Sequence, residues 1–418
     1  MDIQAPRGTY DILPPVSGQW QQLERVLREI SERYAYQEIR FPMFEPTELF
    51  VRGVGETSDV VSKEMYTFQD KGDRSVTLRP EGTASCARAL IEHSAYSGQL
   101  PVKWYYMGPM FRYDRPAAGR YRQFHQFGIE AFGSQSAWLD AEVITILVHI
   151  LEEFGLKDYV LHLNSVGCPT CRERYRQELV DFLRPLQELL CQDCRQRFEK
   201  NPLRVLDCKV PSCQAAITDH PVLIDHLCDN CAEHYATTKS ALAAVGIPFV
   251  QDNRLVRGLD YYTHTAFEVH LPRLGANSAV GGGGRYDGLV QDCGGPAVPG
   301  VGFAMGIERL LLALGEAQTT PAQADVFIVC FDPAYEQSAA FLLNQLRRAG
   351  IRAERDYQNR SAKSQMKYAN RVGAQVTIML GPEEMEQGFY TLRHMREGDQ
   401  IRVAVNEIVA AVVAALES

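Results

Sequence analysis

The sequence predicts an α+β protein in three parts: a body built on an antiparallel sheet, a helical insertion within that body, and a small α/β domain towards the carboxy-terminal end. Three observations carry this expectation. Strand-like runs at 103–111 and 122–132 flank a loop holding Asp114, Arg115, Pro116, Gly119 and Arg120, the pattern of a long antiparallel hairpin. From Asn164 to about Ala244 strand signals thin out, and polar helices and cysteines take over. Beyond a small, polar linker at 315–324, strands alternate with helices at the spacing of an α/β domain with a mainly parallel sheet. At 418 residues the chain exceeds the roughly 250–300 at which single cores stop growing, so several domains are expected.

Composition narrows the classes. Hydrophobic content of 45% with 23% charged residues is ordinary for a globular chain and argues against disorder. No run approaches the roughly 18 apolar residues of a membrane span. The first residues, Met1 to Arg7, lack the basic start and apolar core of a signal peptide, so the cytosol is the expected location. A formal charge of −9 argues against a protein that coats nucleic acid indiscriminately and leaves room for a local basic surface.

Taken in order, PRGTYDILP at 6–14 reads as an extended segment. Trp20, Leu23, Val26, Leu27, Ile30 and Tyr34 recur at steps of three and four, which predicts a helix over about 17–35. Pro42 and Pro46 exclude a regular central strand or helix interior in RFPMFEPTELF. Runs at 65–68 and 75–78 flank the turn Asp70-Lys71-Gly72-Asp73, and Arg79-Pro80-Glu81-Gly82-Thr83 then opens a helix through Leu90. A carboxylate and a hydroxyl between strand end and helix start often face a cleft. Helix capping by Thr83, with Glu81 satisfying the first turn, is the other reading.

In the hairpin, Arg112, Arg115 and Arg120 suit a polyphosphate, because guanidinium forks grip phosphate oxygens bidentately and stay charged. Gln126 and Glu130 are an even number apart and project to one face of a strand, a polar floor beneath a substrate, while Phe127, Ile129 and Ala131 take the other. An amphipathic helix follows at 137–154 and a strand at 159–163.

Eight of the eleven cysteines lie between Cys168 and Cys231. With no export signal, CxxC pairs point to metal or redox chemistry before disulfides. Cys168-x2-Cys171 and Cys191-x2-Cys194 are separated by 19 residues, the spacing of a four-thiolate zinc site. Cys208-x4-Cys213 and Cys228-x2-Cys231 could build a second site, and spacing leaves the pairing of the sets open. Reduced thiols three apart on helix faces are the alternative.

In RGLDYYTHTAFEVH, 257–270, alternation over 266–270 predicts a strand, so Arg257, Tyr261 and Tyr262 are delivered to one end of a sheet. The run GGGGRYDGL, 281–289, removes side chains where backbones cross closely or a ligand lies against them. A strand at 301–304, a turn at Gly306 and a helix at 307–314 place Arg309 at a helix start, where phosphate is favoured. In the last part, strands at 325–330, 352–354 and 376–380 alternate with helices at 334–349 and 361–372. From Arg347 to Arg371 there are eight Lys or Arg against two acidic residues, a local positive patch containing Tyr357 and Tyr368, which could stack on unpaired bases.

These segments together resemble the histidyl-tRNA synthetases, a class II aminoacyl-tRNA synthetase family, over essentially the whole chain. RFPMFEPTELF looks like motif 1, used there for dimer contact. The FR at 111–112, the basic loop and R-x-x-x-F-x-Q look like motif 2, and GIERL looks like motif 3. The segments RGLDYY and GGGGRYDGL resemble the histidine-specific motifs. The resemblance implies a class II antiparallel catalytic core at 1–163 and 247–318, a helical cysteine-rich insertion at 164–246 and an anticodon-binding domain at 319–418. It implies a cytoplasmic, homodimeric ligase that uses ATP with Mg2+ to activate histidine and then charges tRNA(His). A structural Zn2+ is compatible with this chemistry and not required by it.

Carried over position by position, the resemblance places Arg112 and Arg257 at the α-phosphate. Arg120 and Arg309 hold the distal phosphates, and Gly306 lies beside adenine. Glu81, Thr83 and Gln126 hold the amino-acid part of histidine, with Glu130, Tyr261 and Tyr262 around the imidazole. The motif 2 tip is Ala117-Ala118, where family members often carry longer polar side chains, which leaves Arg115 or backbone groups to read the first base pair. Two other classes share parts of this pattern. A catalytically silent regulatory paralogue would lack the carboxy-terminal domain and parts of motifs 2 and 3. A stand-alone RNA-binding protein would need no triphosphate grip.

Overall fold

The computed structural model describes residues 3–55, 58–200, 202–206, 208, 210–255, 259, 261–315 and 324–417. It divides into two compact units, residues 1–316 and 317–418.

The strands of the first unit are, in order, β1 (Gln37–Glu38), β2 (Phe44–Pro46), β3 (Tyr66–Gln69), β4 (Ser75–Leu78), β5 (Val102–Phe111), β6 (Gln123–Phe132), β7 (Val160–Ser165), β8 (Val250–Gln251), β9 (Thr263–His270), β10 (Ala279–Arg285) and β11 (Gly300–Gly306). Eight of them form one sheet in the order β1-β5-β6-β11-β10-β9-β7-β8. Its interior pairings are antiparallel, and only the marginal pairs β1-β5 and β7-β8 are parallel. A small separate sheet runs β2-β4-β3. The proline-broken strand β2 sits at its edge, where a missing N–H costs no ladder bond.

The hairpin β5-β6 forms as expected, and its alternation sorts the faces. Phe127, Ile129 and Ala131 enter the main core with Val301, Phe303 and Met305 of β11. Against that face lie the helix Ala137–Glu153 and the helix Val16–Arg33, the latter through Trp20, Leu23, Leu27 and Ile30. Each such side chain contributes on the order of 1.5–3 kcal/mol by leaving water. The opposite face of β6 carries Gln126, Gly128 and Glu130.

The glycine run becomes the central strand β10 rather than a loop. An added Cβ at Gly283 would lie 1.9 Å from the carbonyl oxygen of Gly302, so only glycine fits between these strands.

One buried ion pair ties the first unit together. Arg285, at the end of β10, and Asp140, in the first turn of the helix Ala137–Glu153, are both fully buried. Arg285 Nε, at 3.0 Å, and Nη2 both donate to Asp140 Oδ1, and Nε lies 3.3 Å from Oδ2. Asp140 Oδ2 lies 2.6 Å from Thr265 Oγ1 on β9 and 2.7 Å from His234 Nε2. The remaining Arg285 donors reach the Ser134 carbonyl at 2.8 Å and Asp287 at 3.0 Å. Burial alone would push the Asp140 carboxyl up. The His234 hydrogen bond and the Arg285 charge outweigh it and hold the group below the usual range.

Between β7 and β8 lies the insertion, with helices Pro169–Leu183, Gln192–Lys200, Pro211–Ala216 and Asp229–Ala244. The last of these sends Tyr235, Ala241 and Leu242 into the main core. The cysteines do not group by nearness in sequence. Cys168 and Cys171 meet Cys228 and Cys231, while Cys191 and Cys194 meet Cys208 and Cys213, so the set Cys168, Cys171, Cys191 and Cys194 is corrected. The reason is that the helices starting after Cys168 and Cys228 begin side by side at the base of the insertion, which linear spacing does not register.

The second unit has β12 (Val326–Cys330), β13 (Ala353–Arg355), β14 (Val376–Leu380), β15 (Phe389–His394) and β16 (Gln400–Ala404), ordered β13-β12-β14-β15-β16. The expectation of a mainly parallel sheet is corrected. Pairs β12-β13 and β12-β14 are parallel, but β14-β15 and β15-β16 are antiparallel. The short connection from β15 to β16 leaves no length for a crossover helix, so these strands can only form a hairpin. The basic run is also less positive than its own composition suggests. Arg352 pairs with Asp325 and Arg355 with Glu336, acids from outside the run, and Arg360 pairs with Asp356. Tyr368 packs on Phe327 between Arg360 and Arg371, while Tyr357 is exposed.

Asp140→Ala leaves the Arg285 guanidinium buried without its counter-charge and is expected to destabilise the first unit by about 3–5 kcal/mol in urea unfolding. Arg25→Ala, which removes the exposed helical pair with Glu29, should cost no more than about 0.5 kcal/mol. Equal costs for the two would show that the buried pair holds nothing together.

Candidate active site

A cleft of about 280 Å³ opens over the polar side of β6, β11, β10 and β9. Its walls include Glu81, Thr83, Arg112, Arg120, Gln126, Tyr261, Tyr262, Gly306 and Arg309, so residues far apart in sequence converge on one site. Arg257 lies outside the described residues. Arg115 is exposed and does not line the cleft.

At one end the helix Thr83–Glu92 begins. Glu81, not Thr83, caps it: Oε2 accepts from the Thr83 N–H at 2.7 Å and Oε1 from the Ala84 N–H at 2.8 Å. The cap and the cleft wall are therefore the same carboxylate. Burial raises its pKa, against the pull of those two N–H groups. Thr83 instead turns its hydroxyl to Glu130 Oε1 at 2.7 Å.

Gln126 and Glu130 share a face of β6, yet the sheet treats them differently. Gln126 lines the cleft, and its buried Oε1 has no hydrogen-bond partner among the described residues. An unsatisfied buried acceptor costs about 1–3 kcal/mol, which a donor on a bound molecule would relieve. Glu130 is fully buried behind the wall, with Oε2 accepting from the Tyr286 hydroxyl as well as Oε1 from Thr83. The space for it exists because Gly302 stands opposite: a Cβ there would lie 2.0 Å from Glu130 Oε2. Burial pushes the Glu130 carboxyl up to about 8, although both hydroxyls favour its ionised form. Tyr261 and Tyr262 stack obliquely at 4.6 Å between ring centres, and Tyr286 meets Tyr261 edge-on at 5.6 Å.

The cleft also gathers cationic side chains. Arg112 is held by its Nε bond to the Pro80 carbonyl at 2.8 Å and lies over the Phe124 ring. Arg309 reaches the Ala279 carbonyl at 2.6 Å from the first turn of the helix Ile307–Leu314. Its pKa is lowered first by burial and then by the charges of Arg120 and, more weakly, Arg112. Three guanidinium groups thus share one region, a field suited to an anion with several charges. Arg120 is paired with Asp114 of its own loop. The loop tip is a tight turn closed by two backbone bonds between Ala117 and Arg120, at 3.0 and 2.9 Å.

Several residues went unnoticed in the sequence. Glu268 lines the cleft from β9, and its alternation with Phe267 and Val269 was the available signal. Glu308 accepts from the His125 N–H at 2.9 Å and meets His125 Nδ1 at 2.9 Å, bracing the helix start against β6. Nothing local predicts that pair, or the Tyr286–Glu130 bond.

A family model described as histidyl-tRNA synthetase matches residues 8–170 and 213–310, and one described as anticodon binding domain matches 325–415. The histidine–tRNA ligase of Syntrophomonas wolfei subsp. wolfei is 57% identical over 421 residues, covering 100% of both chains. That of Moorella thermoacetica is 54% identical over 407 residues, covering 97% of this chain and 96% of its own. The crystal structure of apo S. aureus histidyl-tRNA synthetase superposes with a TM-score of 0.84 at 41% identity, covering 98% of this chain and 100% of that one.

Because the folded pKa of Glu130, about 8, exceeds its unfolded value of about 4.5, its neutral form stabilises the fold fully below about pH 4.5, and that contribution is lost as pH rises through 8. Unfolding free energies of wild type and Glu130→Gln should therefore diverge across this window in favour of the variant, by up to several kcal/mol at about 1.4 kcal/mol per pKa unit. A constant offset from pH 5 to 9 would place the titration elsewhere.

Proposed function

We infer that this cleft binds histidine beside ATP, because the chain belongs to the histidyl-tRNA synthetase family and the residues of its histidine-specific and ATP motifs meet there. As a histidine–tRNA ligase it activates histidine with ATP to histidyl-adenylate and transfers the histidyl group to the 3′ end of tRNA(His). ATP enters as its magnesium complex. The observation that carries the assignment of sites is the lining of the cleft: the Glu81 carboxylate and the open acceptor of Gln126 beside the clustered guanidinium groups of Arg112, Arg120 and Arg309.

In the first step the histidine carboxylate attacks the α-phosphorus in line and pyrophosphate leaves. The residues position the reactants and stabilise charge that develops on the phosphate oxygens. Glu81 supplies full negative charge to the substrate ammonium, and Gln126 Oε1 takes one of its N–H groups. Arg112 faces the α-phosphate, joined there by Arg257 on the strength of the family resemblance. Arg120 and Arg309 take the distal phosphates beside the start of the helix Ile307–Leu314, and Gly306 admits adenine close to backbone. In the second step a terminal ribose hydroxyl of tRNA attacks the activated carbonyl and AMP leaves.

For the side chain, Tyr262 and Glu130 read the two imidazole nitrogens, with Tyr261 closing the pocket. Glu130 reaches the ring by giving up one of the hydroxyls it holds in the unliganded protein. A pocket whose buried groups lose their partners with the wrong substrate discriminates by roughly 10⁴-fold or more, so no editing site is needed. The second unit binds tRNA through its basic run. The chain acts as a cytoplasmic homodimer whose contact includes the motif 1 strand, where Met43 and Phe44 are exposed. No helix among the described residues is long and apolar enough to cross a membrane.

Histidine-dependent pyrophosphate exchange tests the site. Tyr262→Phe and Glu130→Gln, made separately, should each raise KM for histidine at least tenfold while that for ATP moves less than twofold. Equal effects on both substrates would remove them from the ring pocket. Truncation to residues 1–320 should retain exchange but lose most tRNA charging at low tRNA concentration, and tRNA binding by the full chain should weaken steeply with salt. Undiminished charging by the truncated chain would place the tRNA contacts in the first unit.

A further inference from the structure

We propose that the insertion holds two structural zinc ions in nested four-thiolate sites, one of Cys168, Cys171, Cys228 and Cys231, the other of Cys191, Cys194, Cys208 and Cys213. The proposal does not depend on the ligase assignment, since none of these residues lines the cleft.

Distances separate this reading from its competitors. Within each group all four sulfur atoms lie within 4.8 Å of one another. Cys168 and Cys171 lie 3.6 Å apart, Cys171 and Cys231 3.7 Å, and Cys191 and Cys208 3.9 Å, sulfur to sulfur. A disulfide requires about 2.05 Å between sulfurs. A tetrahedron with zinc–sulfur bonds of about 2.3 Å has edges of about 3.8 Å. The clusters therefore have the dimensions of a tetrahedral sulfur shell.

The surroundings suit thiolates. The Cys228 N–H points to Cys171 Sγ at 3.1 Å and the Cys191 N–H to Cys213 Sγ at 3.0 Å, the kind of backbone donor that supports metal-bound sulfur. Cys168 and Cys228 are the residues immediately before the helices Pro169–Leu183 and Asp229–Ala244, so both CxxC pairs of the first site sit at positive helix ends. Soft sulfur donors in tetrahedral array select zinc among abundant divalent ions.

The fold has a use for both ions. The insertion's own core contains Tyr175, Leu179, Leu183 and a few other apolar side chains, and Cys194, Cys208 and Cys213 are themselves part of it. A core this thin gains folding energy from a metal directly. The first site joins the two ends of the insertion. Cys168 follows directly on β7, and Cys231 lies on the helix that carries His234 to Asp140. The second site lies wholly inside the first in sequence and joins the helix Gln192–Lys200 to the segment around Cys208 and Cys213.

The full-length protein, purified without chelator or added metal, should contain two zinc ions per chain by mass spectrometry, and X-ray absorption should show sulfur-only coordination near 2.3 Å. Both readings use the intact wild-type chain and so do not depend on a variant folding. Cys168→Ser with Cys228→Ser should remove one zinc, whereas Cys168→Ser with Cys191→Ser should remove both. The reverse pattern would overturn the grouping. Metal-free protein with all its thiols titratable, or with disulfides instead, would overturn the proposal altogether.

Discussion

The buried pair of Arg285 and Asp140 is the contact on which the arrangement of the first unit rests. Through it the glycine strand β10, the neighbouring strand β9, the helix Ala137–Glu153 and the insertion helix Asp229–Ala244 are fixed at one point. A guanidinium and a carboxylate with no exposed surface are costly to bury, and only the near-complete set of hydrogen bonds around them makes the cost bearable. The pair anchors the end of β10, the strand whose glycines present bare backbone to the cleft. A less specific apolar contact there would not define the direction from which each of the four elements arrives.

The cleft follows from a division between the two faces of the same strands. Where β6 and β11 turn Phe127, Ile129 and Phe303 to the core, their other faces carry Phe124, Gln126, Glu130, Ala304 and glycines. Removing side chains creates volume, and the volume is then bounded by charge: the Glu81 carboxylate at the helix cap, the Glu130 carboxyl behind the wall, and the guanidinium groups of Arg112, Arg120 and Arg309. Burial raises the pKa of Glu130 and lowers that of Arg309, so the same wall shifts a carboxyl and a guanidinium towards their neutral forms.

Much of the first unit was legible along the chain because its signals are local. The hairpin β5-β6 was visible in alternation, the helices in steps of three and four, and the strand-to-helix turns at Glu81 and Gly306 in their glycine and charge placement. The signals that went unread, or were read wrongly, depended on partners distant in sequence. The antiparallel half of the second sheet was missed at β15 and β16 although Tyr390 and Leu392 alternate with polar residues there. The basic run was overestimated because Asp325 and Glu336 neutralise it from outside.

What the sequence by itself determined, then, is the inventory: the β5-β6 hairpin and the main helices, which arginines and carboxylates are available, and that eight cysteines crowd one insertion. Side-chain periodicity and residue chemistry are properties of neighbours in the chain and can be read without a fold. Tertiary structure alone decided how the inventory is shared out. It placed Glu130 behind the wall and Gln126 in it, although both lie on one face of one strand, because Gly302 and Tyr286 arrive from other strands to receive the carboxylate. It also brought Cys168 to Cys228 rather than to Cys191. Pairing across a chain is set by which helices and strands pack together, and packing depends on the whole buried surface at once, not on the spacing between two residues.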